Sequence, residues 1–357
     1  MSIKRFLKQM IDTNASDLFY RAGGVPHLRI DGKVVPATKT LLTVDDVLGA
    51  IDALASPRQR EFFKNCMDVD FAIYISELER RFRVNIFMQR NYPAIVIRNI
   101  YPKVPGLEEL NLPAEVLKKL ATELRGLVLL TGATGSGKST TIASMIEYIN
   151  NNSNKHILTI EEPIEFVFED KNCVVNQREL GFDVSSYEAA LRAFTLQSPD
   201  VIFIGNIRDH KTMSAALTAA ETGVLVLSTL HTVNASQTVE RIINFFPQYQ
   251  HQEVRHQVAG LLKGVISLRL VPLKSGTGRI PAYEAMLQTP TISRLIRENK
   301  IWEIPQYIEE GAVYGMQSFT QSLIKLVKEG KISEDAAANF SDNKDEFSLA
   351  LKGIKRM

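Results

Sequence analysis

The sequence is short of cysteine, of uncompensated charge and of long apolar runs, and each shortage removes a class of function. Its two cysteines, Cys66 and Cys173, lie far apart in no metal-ligand spacing, which excludes a disulfide framework and a cysteine zinc knuckle. A reducing compartment fits that usage. Lys and Arg number 42 against 40 Asp and Glu, and the two signs are interspersed, so there is no basic stripe to track a phosphate backbone. Aromatic residues are not interleaved with Lys and Arg, as a DNA translocase or helicase would want for stacking bases. No nucleic-acid partner is expected. The longest apolar runs, "GLVLL" and "GVLVL", fall well short of a membrane span. The opening "MSIKRFLKQMIDTNASD" carries charge every few residues and lacks the apolar core of a signal peptide. The expectation is a cytoplasmic protein, or one held at a membrane's cytosolic face by a partner.

What is present has two grammars. Ile3, Phe6, Leu7 and Met10–Ile11 mark an amphipathic helix, and "LRIDGKVV" places Asp31-Gly32 as a hairpin turn between alternating strands. Ser56-Pro57 suits a helix start, and "FAIYI", "RRFRVNIFMQR" and "AIVIRNI" read as further strands. Residues 1–100 are therefore predicted to form a small α+β domain, followed by a Pro-punctuated linker over 101–115. Beyond it, the apolar runs "GLVLLTG", "HILTIEE", "DVIFIGN" and "GVLVLST" alternate with amphipathic segments, the pattern of a mainly parallel sheet covered on both faces. This α/β core is predicted over 116–290, with a helical region over 291–357 in which Phe319, Leu323, Leu326 and Val327 form a packing stripe.

"GATGSGKST" fits the phosphate-loop pattern at every required position: Gly132, Ala133, Thr134, Gly135, Ser136, Gly137, Lys138, Ser139 and Thr140. An apolar strand precedes it and a helix follows. The glycines let backbone N–H groups turn toward phosphate oxygens, and the helix N-terminus adds its positive end. Lys138 would reach the β- and γ-phosphates and Ser139 would ligate Mg²⁺, so ATP and Mg²⁺ are the expected cofactors. "LTIEEPIEF" ends a strand with Glu161 and Glu162, at the edge where parallel α/β sheets bind ligands. Either acid could hold the magnesium's water shell, Glu161 being the candidate metal residue, or orient the attacking water. "STLHT" ends another strand on the same edge, where His231 could sense the terminal phosphate. In "VIFIGNIRD" the strand tip that usually offers ATP hydrolysis a carboxylate carries Asn206.

A phosphate loop followed in order by "TIEEPIEF", "VNQRE", "GNIRD", "TAAETG" and "STLHT" resembles the type IV pilus retraction ATPases, the PilT and PilU kind, of the secretion-ATPase superfamily. "ASDL", "FRVNIF", "RIINFFP", "LRLVP" and "GMQSFTQSL" extend the likeness over nearly the whole chain. The resemblance implies RecA-like motor domains in a homohexamer, each with a PAS-like N-terminal domain, ATP bound between the two domains and against a neighbouring subunit, and an inner-membrane platform protein as partner. It also implies a catalytic place for Glu161 and Glu162 in the acidic box and for His231 in the histidine box. Arg83 in "FRVN" and Arg98 in "VIRNI" match the arginines that complete a neighbour's nucleotide site, where a guanidinium neutralises charge on the transferring phosphoryl group. The missing four-cysteine subdomain favours retraction over assembly.

Two departures stand out. Asn206 replaces the family's catalytic glutamate, and "TISRL" stands where retraction motors carry "AIRNL". An amide hydrogen-bonds water but does not take its proton, and a general base contributes about 10²–10⁴-fold where one is used. Binding should survive because the phosphate loop is intact. Three readings stay open: a site compensated by Glu161 or Glu162, a slow or inactive accessory subunit that works with a competent paralogue, and an ordinary motor.

Overall fold

The structure, a computed structural model, describes residues 2–30, 32–100, 104–194 and 196–354. Asp31 of the expected hairpin turn and the connector residues 101–103 lie outside them. The chain divides into two compact units: Met1–Lys103 with Glu162–Val167, and Val104–Glu161 with Phe168–Met357.

In the first unit the helix Ile3–Asp12 buries Ile3, Phe6, Leu7 and Met10, the spacing of one helical face. Among the described residues six strands follow: β1 (Asp17–Arg21), β2 (His27–Ile30), β3 (Lys33–Pro36), β4 (Asp68–Ile75), β5 (Arg80–Gln89) and β6 (Tyr92–Ile100). They form a sheet in the order β3-β2-β1-β6-β5-β4, with every pairing antiparallel. Ile30 pairs with Lys33 across the expected hairpin. Along β5, Phe82, Val84 and Ile86 are fully buried while Arg81, Arg83 and Asn85 alternate onto the other face. The helix Pro57–Cys66 begins with a reciprocal cap: Ser56 Oγ accepts from Gln59 N, and Gln59 Oε1 accepts from Ser56 N. Its last residue, Cys66, is exposed, whereas Cys173 of the second unit is buried.

Among its described residues the second unit holds seven strands: β7 (Gly126–Thr131), β8 (His156–Glu161), β9 (Val174–Glu179), β10 (Val201–Ile204), β11 (Leu225–Leu230), β12 (Leu262–Pro272) and β13 (Arg279–Leu287). Among the described residues they run β13-β12-β7-β11-β10-β8-β9, parallel throughout except for the β12–β13 hairpin. Every residue of β7, β10 and β11 is buried, which is why these stretches read as continuous apolar runs. "VNQRE", half-buried and polar, adds β9 as the edge strand.

From Pro290 onward the described chain is helical. Phe319, Leu323 and Leu326 are buried there with Val271, Ile280 and Ala282 of the β12–β13 hairpin, and Val327 packs at the margin of that cluster. The stripe is core, as its spacing predicts.

Candidate active site

The parallel register brings the motifs of the second unit to one edge. Thr131 pairs with Leu230, so Gly132 and His231 leave neighbouring strands β7 and β11 side by side. Ile204 pairs with Ser228 on one side and Ile160 on the other, which sets Gly205-Asn206 between the ends of β11 and β8. The strand ends therefore present phosphate loop, His231, Asn206 and Glu161 in sequence.

The loop is closed on itself. Lys138 is buried and its Nζ donates to the carbonyls of Gly132 at 2.7 Å and Ala133 at 2.8 Å. Gly132 has φ +138°, and a Cβ there would meet the Leu268 carbonyl at 2.5 Å and Ser136 Oγ at 2.7 Å. Only glycine fits both the backbone and the space. Ser136 Oγ is itself buried without a hydrogen-bond partner among the described residues, a polar atom within the loop. Gly137 precedes the helix Lys138–Asn152, where Ser139 is exposed at the first turn and Thr140 half-buried. Ala133, Thr134 and Gly135 form the exposed rim.

Glu161 is buried, and its Oε1 accepts from Thr159 Oγ1 at 2.7 Å and Gln177 Nε2 at 3.0 Å. Gly205 and Asn206 are locked by main-chain bonds: Gly205 N donates to Ile160 O at 2.8 Å and Ile207 N to Thr229 O at 3.2 Å. Thr229 Oγ1 donates to Gly205 O at 2.7 Å. Asn206 Oδ1 is buried with no hydrogen-bond partner among the described residues. Asp209 of the same "GNIRD" is instead a helix cap, accepting from Thr212 N at 2.9 Å. Partial burial, and then the positive charges of Lys138 and Arg208, push the His231 imidazole below its ordinary pKa. The ring is neutral at pH 7 and able to accept or donate one hydrogen bond at each nitrogen.

The remaining predicted residues belong to the first unit. Glu162 falls in the segment Glu162–Val167, apart from Glu161, and is exposed. Arg83 and Arg98 are directly opposed on β5 and β6, so both guanidinium stems leave the same face. Arg83 Nε donates to both oxygens of Asp70, at 3.1 and 3.0 Å. Burial works against its charge, but Asp70, Glu165 and Glu162 outweigh it, so Arg83 is held above its already high pKa. Arg98 Nε donates to Asp17 Oδ1 at 2.9 Å, and Arg29 Nε to Asp17 Oδ2 at 3.1 Å. Sequence reasoning missed these two carboxylates and the Thr159–Gln177 support of Glu161. Asp17 stands in "ASDL", a stretch read only for its family likeness, and its partner Arg98 is 81 residues away.

"TISRL" lies on the helix Pro290–Arg297, with Ile292 and Leu295 buried and Ser293 Oγ donating to the Ala259 carbonyl. Arg294 is exposed.

Residues 1–342 match the family described as type II/IV secretion system protein. The chain belongs to that family. Within it, the type IV pilus ATPase PilU of Pseudomonas aeruginosa is 41% identical over 352 residues, covering 99% of this chain and 92% of PilU. The type IV pilus retraction ATPase PilT of the same organism is 42% identical, over 94% of this chain and 97% of PilT. The crystal structure of the pilus retraction motor PilT with bound ADP superposes with a TM-score of 0.90 at 41% identity, covering 97% of this chain and 98% of that one. Among the secretion ATPases this chain is thus a P-loop ATPase of the PilT/PilU kind.

Two residues at the strand-end edge carry donors of the type magnesium takes. Hard oxygens, Ser139 Oγ and the Glu161 carboxylate, match magnesium. Among the described residues no cluster of three or more His, Cys, Asp or Glu could cage a metal.

Proposed function

We propose that this chain is an ATP-binding hexameric motor subunit of a type IV pilus machinery, which drives or assists pilus retraction and twitching motility with hydrolysis slowed by Asn206. The observation that carries the reading is the strand-end array of phosphate loop, His231, Asn206 and Glu161, in a chain this similar to PilU and PilT. ATP would take its phosphates to the loop, drawing Lys138 from the carbonyls of Gly132 and Ala133. Mg²⁺, when bound, would neutralise phosphate charge, with Ser139 and Glu161 as the residues to hold it. His231, neutral and beside the loop, would read the terminal phosphate by hydrogen bond. Asn206 Oδ1 would accept a hydrogen bond from the attacking water and so orient it, without removing its proton. Arg83 and Arg98 would complete the site of a neighbouring subunit, with Asp70 and Asp17 holding the guanidiniums extended until phosphate competes. Its place is the cytoplasmic side of the inner-membrane base of the pilus, on a platform protein. No described helix is long and apolar enough to cross a membrane.

A second reading follows from the same asparagine. With no carboxylate at that tip, the subunit would be a nucleotide-binding accessory, in a mixed ring or docked on a competent paralogue. Turnover separates the two. Asn206→Glu should raise the ATPase rate by roughly tenfold or more, within the span of a general base. A wild-type rate that is already high and is unchanged by the substitution eliminates the slowed site. Light scattering of purified protein with ATP and Mg²⁺ reads the ring, and a persistent monomer would sink it.

A further inference from the structure

The segment that follows His231 is gripped from the β12–β13 hairpin at two adjacent points. Arg269 Nη2 donates to Val233 O at 3.3 Å, and Ala235 N donates to Glu284 Oε1 at 2.7 Å. Both side chains share one face of the hairpin: Ser267 opposes Glu284, and Arg269 opposes Ala282. Ser267 in turn opposes Thr131 on β7, and Thr131 Oγ1 donates to Ser267 Oγ at 2.9 Å. The row Glu284–Ser267–Thr131 ends one residue short of Gly132, so the carboxyl that holds Ala235 sits on the same strand edge as the phosphate loop.

Glu284 is 7% exposed and faces the main-chain N–H at the first position of the helix Ala235–Asn244. That helix already has its cap, since Asn234 Oδ1 accepts from Gln237 N at 2.9 Å. That cap serves Gln237 N alone; the N–H of the fully buried Ala235 is a separate open donor of the first turn, and Glu284 is the acceptor that reaches it from another element. Thr232 and Thr238 hydroxyls, 2.7 Å apart, tie the loop to the helix, so movement at Ala235 carries to Thr232 and His231.

We propose that Glu284 is a positioning residue for the ATPase site: it fixes His231 by holding the Ala235 N–H, and it holds more firmly as a carboxylate than as a neutral acid. The proposal rests on the reading that His231 works at the terminal phosphate. A charged acceptor makes a shorter and stronger bond than a neutral one. Burial, the largest effect, raises the Glu284 carboxyl to about 7; the Ala235 bond lowers it, Asp342 raises it, Arg269 lowers it and Glu309 raises it. Both forms are therefore populated near neutrality. Arg269 extends the grip to the helical region, where Nη1 donates to Phe340 O at 2.7 Å and Nη2 to Asp342 Oδ1 at 2.6 Å.

The test uses the full chain with Glu284→Gln, Glu284→Ala and His231→Ala. Single-turnover ATP hydrolysis across pH 6 to about 8.5 reads function even in a slow enzyme, and hydrogen exchange of residues 231–238 reads the hold directly. Glu284→Gln keeps an acceptor for Ala235 but no charge. It should show the wild type's low-pH rate at every pH, with ATP affinity within roughly twofold. Glu284→Ala should exchange at Ala235 at least roughly tenfold faster while the phosphate-loop peptide is unchanged. A Glu284→Gln rate profile that follows the wild type's through neutrality overturns the proposal, as does unchanged protection in Glu284→Ala. If Glu284→Ala fails to fold, Glu284→Gln alone decides. A His231→Ala variant that hydrolyses normally refutes the role of His231 instead, whatever Glu284 does.

Discussion

Replacing Gly132 with alanine tests whether the phosphate loop is shaped by its backbone or by the ligand it receives. Two loop glycines provide an internal comparison. At Gly135 φ is +76° and nothing lies within 4 Å of a new Cβ, so alanine meets only the left-handed backbone cost, about 1–2 kcal/mol. At Gly132 φ is +138°, outside that well, at a cost of about 1–3 kcal/mol. There the new methyl also strikes the Leu268 carbonyl of β12. A strand carbonyl does not swing aside as a side chain would, and overpacking of this kind adds about 1–3 kcal/mol. Gly132→Ala should therefore lose about 2 kcal/mol more than Gly135→Ala. Urea unfolding followed by far-UV circular dichroism measures both, with an ATP titration in parallel. Equal losses in the two variants would refute the steric argument. So would wild-type ATP affinity in a folded Gly132→Ala protein.

Three further outcomes are expected. Because the pKa of His231 is depressed in the fold, its neutral ring contributes stability above about pH 6.5 that is lost as pH falls through the lower folded value. Its NMR titration midpoint should lie below that of a free histidine and rise when ATP binds; a midpoint at or above the free value contradicts the environment described. Asp17→Ala leaves Arg29 and Arg98 without their shared carboxylate, but their side chains are 38% and 61% exposed, so water takes over and the loss should be only about 1–2 kcal/mol by thermal melting. A loss several times larger would show that the arginines are not solvated. Glu284 has a raised pKa, so its contribution is intact below the ordinary carboxylate value of 4.5 and is lost as pH rises through about 7, at most on the order of 3 kcal/mol. The stability of the wild type relative to Glu284→Gln should fall between pH 5 and about 8, and a flat difference would refute the burial argument.

The local motifs were readable because each is short and periodic. Gly132–Thr140 declares itself by glycine spacing between a strand and a helix, and β7, β10 and β11 by unbroken apolar runs. The resemblance to the pilus retraction ATPases holds across the chain. What stayed hidden depends on register between distant strands. Asp17 gains its meaning only where β1 lies between β2 and β6, and Asp70 only opposite the Arg83 face of β5. Glu284 falls in phase with the buried Ile280, Ala282 and Met286 of β13, yet its acceptor role appears only when the helix Ala235–Asn244, 49 residues away, brings the Ala235 N–H to it. The division of Glu161 and Glu162 between two units was equally invisible, since nothing in "IEEPIEF" marks where one unit yields to the other.

The contrast between the two thiols has a practical consequence. Cys173 is enclosed, its Sγ donating to Ser153 O at 3.0 Å, and burial raises its pKa, which suppresses the thiolate that alkylating reagents attack. Cys66 stands open at a helix end of the other unit. A maleimide dye should therefore enter the unmodified polypeptide once per subunit, without cysteine engineering. Energy transfer between such dyes would count assembled copies and time their rearrangement during each round of nucleotide consumption.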